Sequence, residues 1–215
     1  MHFRKALFAA TAVAALAGCA KSGEIVVEQG VGITALRSVC PSVGVPEFLG
    51  DVTLFSPADG RTLDALDLSA AITNVRSECN ETGEQVYSTA TFDVVAQRRN
   101  TQGARNVTLP YFVTVVRGGT TVVSKRIGEV TLAFADGQAR AQAVGTAASY
   151  VDRDAATLPS DIRERITRRR RVGDAEAAVD PLTEPEVRTA VARATFELLV
   201  GFQLTDEQLE YNATR

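Results

Sequence analysis

The sequence predicts a mainly β protein: an immunoglobulin/fibronectin-like β-sandwich of about seven strands with a short C-terminal helical tail. Two observations predict this fold. Apolar residues recur at every second position between Val52 and Ser149, which is the period of half-buried strands. Turn-forming residues separate these runs and no helical period intervenes, which is typical of a sandwich.

The alternating runs set the approximate strand limits. Strands are predicted near residues 52–55, 66–78, 86–97, 107–116, 120–127, 129–135 and 138–148. Asp136-Gly137 and Gly118-Gly119 lie between such runs and favour hairpin turns, whose central positions need positive φ. Pro110 cannot donate a ladder hydrogen bond, so its strand is predicted to be an edge or to bulge there. Arg98-Arg99 and Lys125-Arg126 are interpreted as solvent-facing strand residues.

After residue 152 the apolar period becomes helical, and three short helices are predicted. The first runs from about residue 160 to Gly173, the second from about Glu186 to Val200, and the third follows Thr205. Thr205 and Gln208 have the spacing of a capping box. The second helix would present one apolar stripe, formed by Val187, Val191, Ala194 and Leu198.

The N-terminus has the organisation of a secretory signal peptide. Arg4 and Lys5 precede an apolar, alanine-rich run from Ala6 to Leu16, and small residues follow it. The run is too short to remain as a membrane span. Cleavage at Ala15-Leu16-Ala17, as in an ordinary secreted protein, is the alternative.

The residues Leu16-Ala17-Gly18-Cys19 resemble a bacterial lipobox. The resemblance implies that the chain is cut before Cys19, that diacylglycerol is attached to its thiol, and that the new N-terminus carries an acyl chain such as palmitate. In lipoproteins of enterobacterial type, aspartate after the cysteine favours the inner membrane. Ala20 stands here, which implies the outer membrane, facing the periplasm. The tail from Leu158 to Arg215 resembles that of uncharacterised alphaproteobacterial envelope lipoproteins, a class without an activity to carry over.

These observations divide the chain into four parts. We expect a signal peptide over residues 1–18, a lipidated tether over 19–32, the β-sandwich over 33–150 and the helical tail over 151–215.

The composition excludes several kinds of chemistry. The only histidine is His2, within the predicted signal peptide, and tryptophan is absent. A mature chain without histidine cannot form a Ser-His-Asp triad or a Cys-His pair, and it lacks the commonest zinc ligand. We therefore expect no catalytic residue, no metal site and no cofactor. The formal net charge of −3 argues against a nucleic-acid partner.

Cys40 and Cys79 remain once Cys19 is lipidated. In an oxidising envelope compartment an isolated pair of cysteines predicts one disulfide bond. A free or catalytic thiol is the alternative, although neither residue lies in a Cys-x-x-Cys motif.

Four consecutive arginines, Arg168, Arg169, Arg170 and Arg171, form the strongest charge feature. They could contact an anionic partner, such as lipid headgroups, peptidoglycan carboxylates or an acidic protein. The alternative is intramolecular, because residues 172–186 carry five acids and no base.

Two functions are consistent with these features. The first is a non-catalytic cell-envelope lipoprotein that acts as an adaptor, scaffold or binding module, with the membrane and a protein of an envelope assembly as partners. The alternative is a carboxylate-dependent hydrolase of cell-wall or glycan substrates. The missing histidine and the absence of a recognisable acid pair favour the first.

Overall fold

The computed structural model of the protein describes residues 37–215. The predicted signal peptide, the lipid attachment residue Cys19 and the tether over 19–32 lie outside these described residues. The described part comprises a body, residues 37–168 and 179–215, and a separate segment, residues 169–178.

The described residues contain eight strands, four α-helices and two short 3₁₀ turns, at Leu63–Ala65 and Pro181–Thr183. The strands are β1 (Ser42–Gly44), β2 (Asp51–Phe55), β3 (Leu66–Asn80), β4 (Gln85–Arg98), β5 (Arg105–Arg117), β6 (Thr121–Phe134), β7 (Arg140–Asp152) and β8 (Phe196–Phe202). The helices are α1 (Arg153–Ala156), α2 (Ser160–Thr167), α3 (Pro185–Ala194) and α4 (Asp206–Thr214).

The strands form two four-stranded sheets in a curled, sandwich-like arrangement. One sheet has the order β2-β3-β4-β7 and is antiparallel throughout. The other has the order β1-β8-β5-β6, in which β1 runs parallel to β8 and the remaining pairs are antiparallel. The predicted mainly β sandwich with a short C-terminal helix is confirmed. A constant-type immunoglobulin domain has sheets of four and three strands, whereas residues 37–215 form sheets of four and four.

Two apolar clusters stabilise the body. Alternate residues of the strands meet between the sheets, as their period of two requires. The largest of these fully buried apolar side chains are Leu68, Phe92, Leu132, Phe134, Leu198 and Phe202. A smaller cluster joins α2 to α3 and contains Leu158, Ile162, Ile166, Val187 and Ala194.

The predicted helix from Glu186 to Val200 is wrong in its second half. Helix α3 ends at Ala194, and Phe196–Phe202 is strand β8. Strand β8 lies between β5 and β1, so its backbone groups are paired on both sides. The predicted stripe is divided accordingly, because Val187 and Ala194 are buried among the helices and Leu198 is buried in the sandwich core.

The helix ends also differ from the sequence prediction in part. The predicted capping box of Thr205 and Gln208 is confirmed, and it begins α4. Helix α2 ends at Thr167, six residues before Gly173. Its final turn is closed by the backbone bond from Arg168 to Glu164.

Two strands predicted over 120–127 and 129–135 are one continuous strand, β6. Gly128 does not break it. A Cβ atom at this position would lie 2.6 Å from Cζ of Tyr111, so the glycine makes room for a ring from the neighbouring strand. The glycine is therefore a packing residue and not a turn residue.

Pro110 lies in β5, which is an internal strand and not the predicted edge. The pairing of β5 with β8 begins at Tyr111 and Phe202, one residue after the proline. The backbone N–H of Gln203 donates to the carbonyl oxygen of Pro110 at 2.9 Å. The proline nitrogen faces the same side, toward Gln203, which lies one residue beyond the end of β8, so the missing N–H falls at the end of the β5–β8 ladder.

The predicted disulfide between Cys40 and Cys79 is confirmed, with Cα atoms 6.1 Å apart. Cys40 precedes β1 in one sheet, and Cys79 lies near the end of β3 in the other. The bond therefore links the two sheets. Closing a loop of 39 residues should stabilise the fold by about 3–4 kcal/mol in the chain-entropy model.

Candidate functional site

The arginine run is the charged site that the sequence singled out. Arg168, Arg169 and Arg171 are exposed, whereas Arg170 is buried, with 7% of its surface accessible. Within the segment 169–178, the backbone N–H of Arg171 donates to the carboxylate of Asp174 at 2.8 Å. Three of the four side chains are therefore available to an anionic partner.

Two of the acids that follow the arginine run form ion pairs with an arginine outside that run. Glu184 and Glu186 both form ion pairs with Arg165, which lies on helix α2. The guanidinium of Arg165 donates hydrogen bonds to both carboxylates, and these bonds, first that to Glu186 and then that to Glu184, raise the pKa of Arg165. The intramolecular pairing that the sequence suggested thus includes Arg165, a residue outside the predicted site.

A groove of about 530 Å³ lies between strand β2, the loop that follows it and helix α4. One wall is aromatic, because the rings of Phe55 and Tyr211 meet edge to face with centroids 5.2 Å apart. The remaining lining residues are Thr53, Leu54, Ala58, Asp59, Arg61, Asp67, Thr205, Glu207 and Gln208. We call this site the β2–α4 groove.

Helix α4 is fixed against β2 by two residues near its C-terminus. The buried side-chain amide of Asn212 donates to the carbonyl oxygens of Phe48 and Asp51, both at 2.8 Å. Arg215 forms an ion pair with the carboxylate of Asp51 and lies over the ring of Tyr211. These contacts hold the aromatic wall of the groove in place.

Two carboxylates of the β2–α4 groove are held in their ionised form. Arg105 donates two hydrogen bonds of 2.7 Å to Asp67. These bonds lower the pKa of Asp67, although partial burial opposes them. The backbone N–H of Glu207 and the hydroxyl of Thr205 lower the pKa of Glu207. A general acid needs the opposite shift, so neither group is suited to donate a proton at neutral pH.

The ion pair of Asp67 predicts a pH-dependent stability. A carboxyl group with a lowered folded-state pKa stabilises the fold above its unfolded pKa of about 4, and this contribution is lost as the pH falls through the folded value. Asp67→Asn should therefore lower the free energy of unfolding by about 1 kcal/mol at pH 7. The ion pair is bidentate, which strengthens it, but it is partly exposed, which limits its contribution. The difference from wild type should narrow at pH 3.

Urea denaturation at the two pH values measures this effect. Asp64→Asn is the matched control, because Asp64 also pairs with an arginine, Arg99, but its side chain is 96% exposed. We expect Asp64→Asn to leave the free energy of unfolding nearly unchanged at either pH. If Asp67→Asn lowered the free energy of unfolding by the same amount at pH 7 and at pH 3, the role assigned to the ion pair would be contradicted.

One group of residues has the composition of a metal site. Within residues 37–215, Cys40, Cys79 and Glu81 place a sulfur or carboxylate oxygen within 4.8 Å of one another. The two sulfurs are bonded to each other, so neither is a thiolate that could bind a metal ion. The group is a disulfide beside an acid.

Strand β6 provides a third candidate site, which the sequence did not single out. In the sheet order β1-β8-β5-β6 it is the last strand, and in the described part of the chain it pairs only with β5. Every residue of Thr121–Ile127 is exposed, including Val122, Val123 and Ile127, each more than half accessible. We call Thr121–Ile127 the β6 edge. Its sequence signal was three apolar residues around Lys125-Arg126, but only the sheet order shows that no other strand of the described residues pairs with its outer side.

No helix among residues 37–215 combines the length and apolar character needed to cross a membrane. Comparisons of the chain with protein-family models, curated proteins and solved structures found no match. The arginine run, the β2–α4 groove and the β6 edge are the surfaces whose chemistry bears on function.

Proposed function

We propose that this protein is a non-catalytic lipoprotein of the cell envelope, anchored through Cys19 in the outer membrane and facing the periplasm. Its β-sandwich acts there as an adaptor, scaffold or binding module. The observation that carries the binding role is the β6 edge, an exposed strand that has apolar and basic side chains and, within residues 37–215, no neighbouring strand on its outer side. Exposed strands of this kind are surfaces for other chains.

The state of the groove carboxylates supports a non-catalytic role. A glycan hydrolase of the common type needs one carboxylic acid with a raised pKa near a second, ionised carboxylate. In the β2–α4 groove the pKa values of Asp67 and Glu207 are both lowered. These two acids stabilise the groove through Arg105 and the start of helix α4, which favours a structural use of their charges.

The position at which the body begins is compatible with a lipid tether. The side chain of Arg37 donates to the hydroxyl of Thr195 at 2.6 Å, and Cys40 is covalently joined to β3. The described chain is therefore attached to the rest of the body from Arg37 onward. A lipid on Cys19 would hold it within at most about 60 Å of the membrane surface, the fully extended length of the intervening chain. Two or more acyl chains make such an anchor stable.

Removal of the anchor residue tests the proposal. In the native host, Cys19→Ala should abolish labelling by radioactive palmitate and leave an uncleaved precursor or a soluble product in detergent phase partitioning. The double variant Cys40→Ala/Cys79→Ala is the matched control, because it removes the two other thiols and should keep the label. A Cys19→Ala protein that is still processed and still partitions with detergent would overturn the lipoprotein assignment.

Two further measurements test the other parts of the proposal. The wild-type protein should be recovered with the outer membrane after separation of the two membranes, and Ala20→Asp should move it to the inner membrane. Recovery of the wild type with the inner membrane would overturn the assigned location. Purified protein should release no soluble fragments from peptidoglycan sacculi, and such release would overturn the non-catalytic role.

A further inference from the structure

The backbone of the β6 edge offers hydrogen-bonding groups to an additional strand. The carbonyl of Pro110 accepts from Gln203 and so points toward β8, away from β6. Pro110 is opposite Glu129, and the direction of backbone groups alternates along an antiparallel pair. Lys125 and Ile127 of the β6 edge, and Glu129 two residues beyond it, therefore direct their N–H and C=O groups away from β5. No strand among residues 37–215 pairs on that side.

A cleft of about 530 Å³ adjoins this edge, with space for the side chains of an added strand. Arg126, Ile127 and Gly128 line it from β6. On the opposite side it is lined by Tyr87, Thr89, Ala90, Thr91, Thr146, Ala147 and Ala148, and its floor includes Tyr111 and Val113. The hydroxyl of Tyr111 donates to the carbonyl of Thr146 at 2.8 Å, which connects the two sheets within the cleft.

The charges at the cleft are unbalanced. Arg126 lines the cleft, is exposed and has no hydrogen-bond or ion-pair partner among the described residues. Lys125 has its amine 5.4 Å from the ring centroid of Phe112 and forms no ion pair there either. Adjacent strand residues point to opposite faces, so the β6 edge presents one cation on each face.

We propose that an extended, acidic segment of a partner protein adds to the β6 edge as a further strand. Its backbone pairs with the outward groups of Lys125, Ile127 and Glu129, and a carboxylate on its inward face pairs with Arg126 in the cleft. Main-chain bonds would supply affinity and alternate side chains specificity, as in other cases of strand addition. The inference rests on the proposed function, since it assigns the surface and the partner class of the binding module.

Basic residues on an edge strand also have a protective use, because charge discourages edge-to-edge association of identical chains. The two roles differ in their consequences. If Lys125 and Arg126 only protect the edge, their neutralisation should produce dimers or aggregates and leave the affinity for an acidic peptide unchanged. If they bind a partner, neutralisation should weaken peptide binding.

Fluorescence anisotropy with the full-length protein in detergent micelles tests the proposal. The probe is a labelled eight-residue peptide in which valine alternates with glutamate, and the comparison peptide has glutamine in place of glutamate. We expect the glutamate peptide to bind at least tenfold more tightly, with an affinity that falls as salt is added. Equal affinities for the two peptides, or no binding of either, would overturn the proposal.

Variants of the edge separate backbone pairing from charge. Ile127→Pro removes one outward N–H and should weaken binding at least fivefold, whereas Ile127→Thr keeps that N–H and should bind nearly as wild type. Arg126→Gln should weaken binding of the glutamate peptide and not of the glutamine peptide. Self-association of Arg126→Gln with unchanged peptide affinity would assign the arginine to edge protection and overturn its binding role.

Amide hydrogen exchange on the wild-type protein tests strand addition without relying on the folding of the proline variant. Saturating peptide should protect the amides of Lys125, Ile127 and Glu129, and unchanged exchange at all three would overturn strand addition. The result is independent of the anchor. If peptide binding fails while Cys19-dependent anchoring holds, the partner class is wrong and the lipoprotein assignment remains.

Discussion

Leu198→Asp is expected to prevent the protein from folding. Leu198 has no accessible surface and lies in β8, opposite Val115 on one side and Val43 on the other. The variant buries an unpaired carboxylate and removes a packed side chain from the middle of the sheet. Together these effects should cost at least about 5 kcal/mol, comparable to the total stability of many domains.

Circular dichroism and yield of soluble protein measure this outcome. Leu63→Asp is the matched control, because Leu63 is 73% exposed and should tolerate the charge. Leu198→Ala should give a folded protein that is about 2–5 kcal/mol less stable. A Leu198→Asp protein that melts like the wild type would contradict strand β8, since only an exposed position tolerates this substitution.

The segment around Leu198 shows why a sequence period can mislead. Leu198 belongs to two patterns at once. It continues the helical stripe that begins at Val187, and it also belongs to the strand alternation of Phe196, Leu198, Val200 and Phe202. The helical spacing of Val187, Val191 and Ala194 favoured the first pattern. The segment forms a strand because β8 pairs with β5 on one side and β1 on the other. Both partners are distant in sequence, so the local pattern could not reveal this pairing.

The other strands could be predicted because each carries its own alternation. Strands β2, β3, β4, β5 and β7 begin and end within a few residues of their predicted limits. Strand β1 has only three residues, too short for any period, and it forms because β8 offers it an edge. Local patterns thus predicted the longer strands, whereas the sheet order had to come from the structure.

The candidate sites depended still more on distant contacts. Asp67 and Arg105 are 38 positions apart, and the aromatic wall of the β2–α4 groove joins Phe55 to Tyr211. Nothing in the sequence near these residues signals the groove. The disulfide was predictable because the lipobox resemblance assigns Cys19 to the lipid anchor, which left Cys40 and Cys79 as the one remaining pair.

Arg98 is the clearest departure from its sequence interpretation as a solvent-facing residue. It is 2% exposed and continues the inward alternation of β4 after Val94 and Ala96. No carboxylate among the described residues forms an ion pair with it. Its guanidinium instead donates to main-chain carbonyls of Gln138 at 2.8 Å, Thr101 at 2.8 Å and Ala135 at 2.9 Å.

These three bonds join segments that are far apart in sequence. Thr101 lies in the connection between β4 and β5, and Ala135 and Gln138 lie in the turn between β6 and β7. The guanidinium also lies over the ring of Phe134, with its carbon 5.2 Å from the ring centroid. One planar group with several donors thus holds two turns at the same end of the sandwich.

Arg98→Ala should lower the free energy of unfolding by about 3–5 kcal/mol and the melting temperature by ~10 °C. The substitution leaves the carbonyls that Arg98 bonds without a donor and opens a cavity. Arg98→Met keeps most of the side-chain volume but has no hydrogen-bond donor. Arg98→Lys keeps the positive charge and a donor group but lacks the planar guanidinium. We therefore expect stability to decrease from wild type to Lys, then Met, then Ala.

Thermal and urea denaturation of this series measure the predicted order, with Arg99→Ala as the matched control. Arg99 is the exposed neighbour and donates to the carbonyl of Leu63 and to Asp64, so its removal should cost less than about 1 kcal/mol. If Arg98→Met proved as stable as the wild type, the carbonyls would need no donor and packing alone would account for Arg98. A deficit in Arg98→Met that Arg98→Lys partly recovers would show that hydrogen bonding to the two turns, beyond the volume of the side chain, stabilises this end of the sandwich.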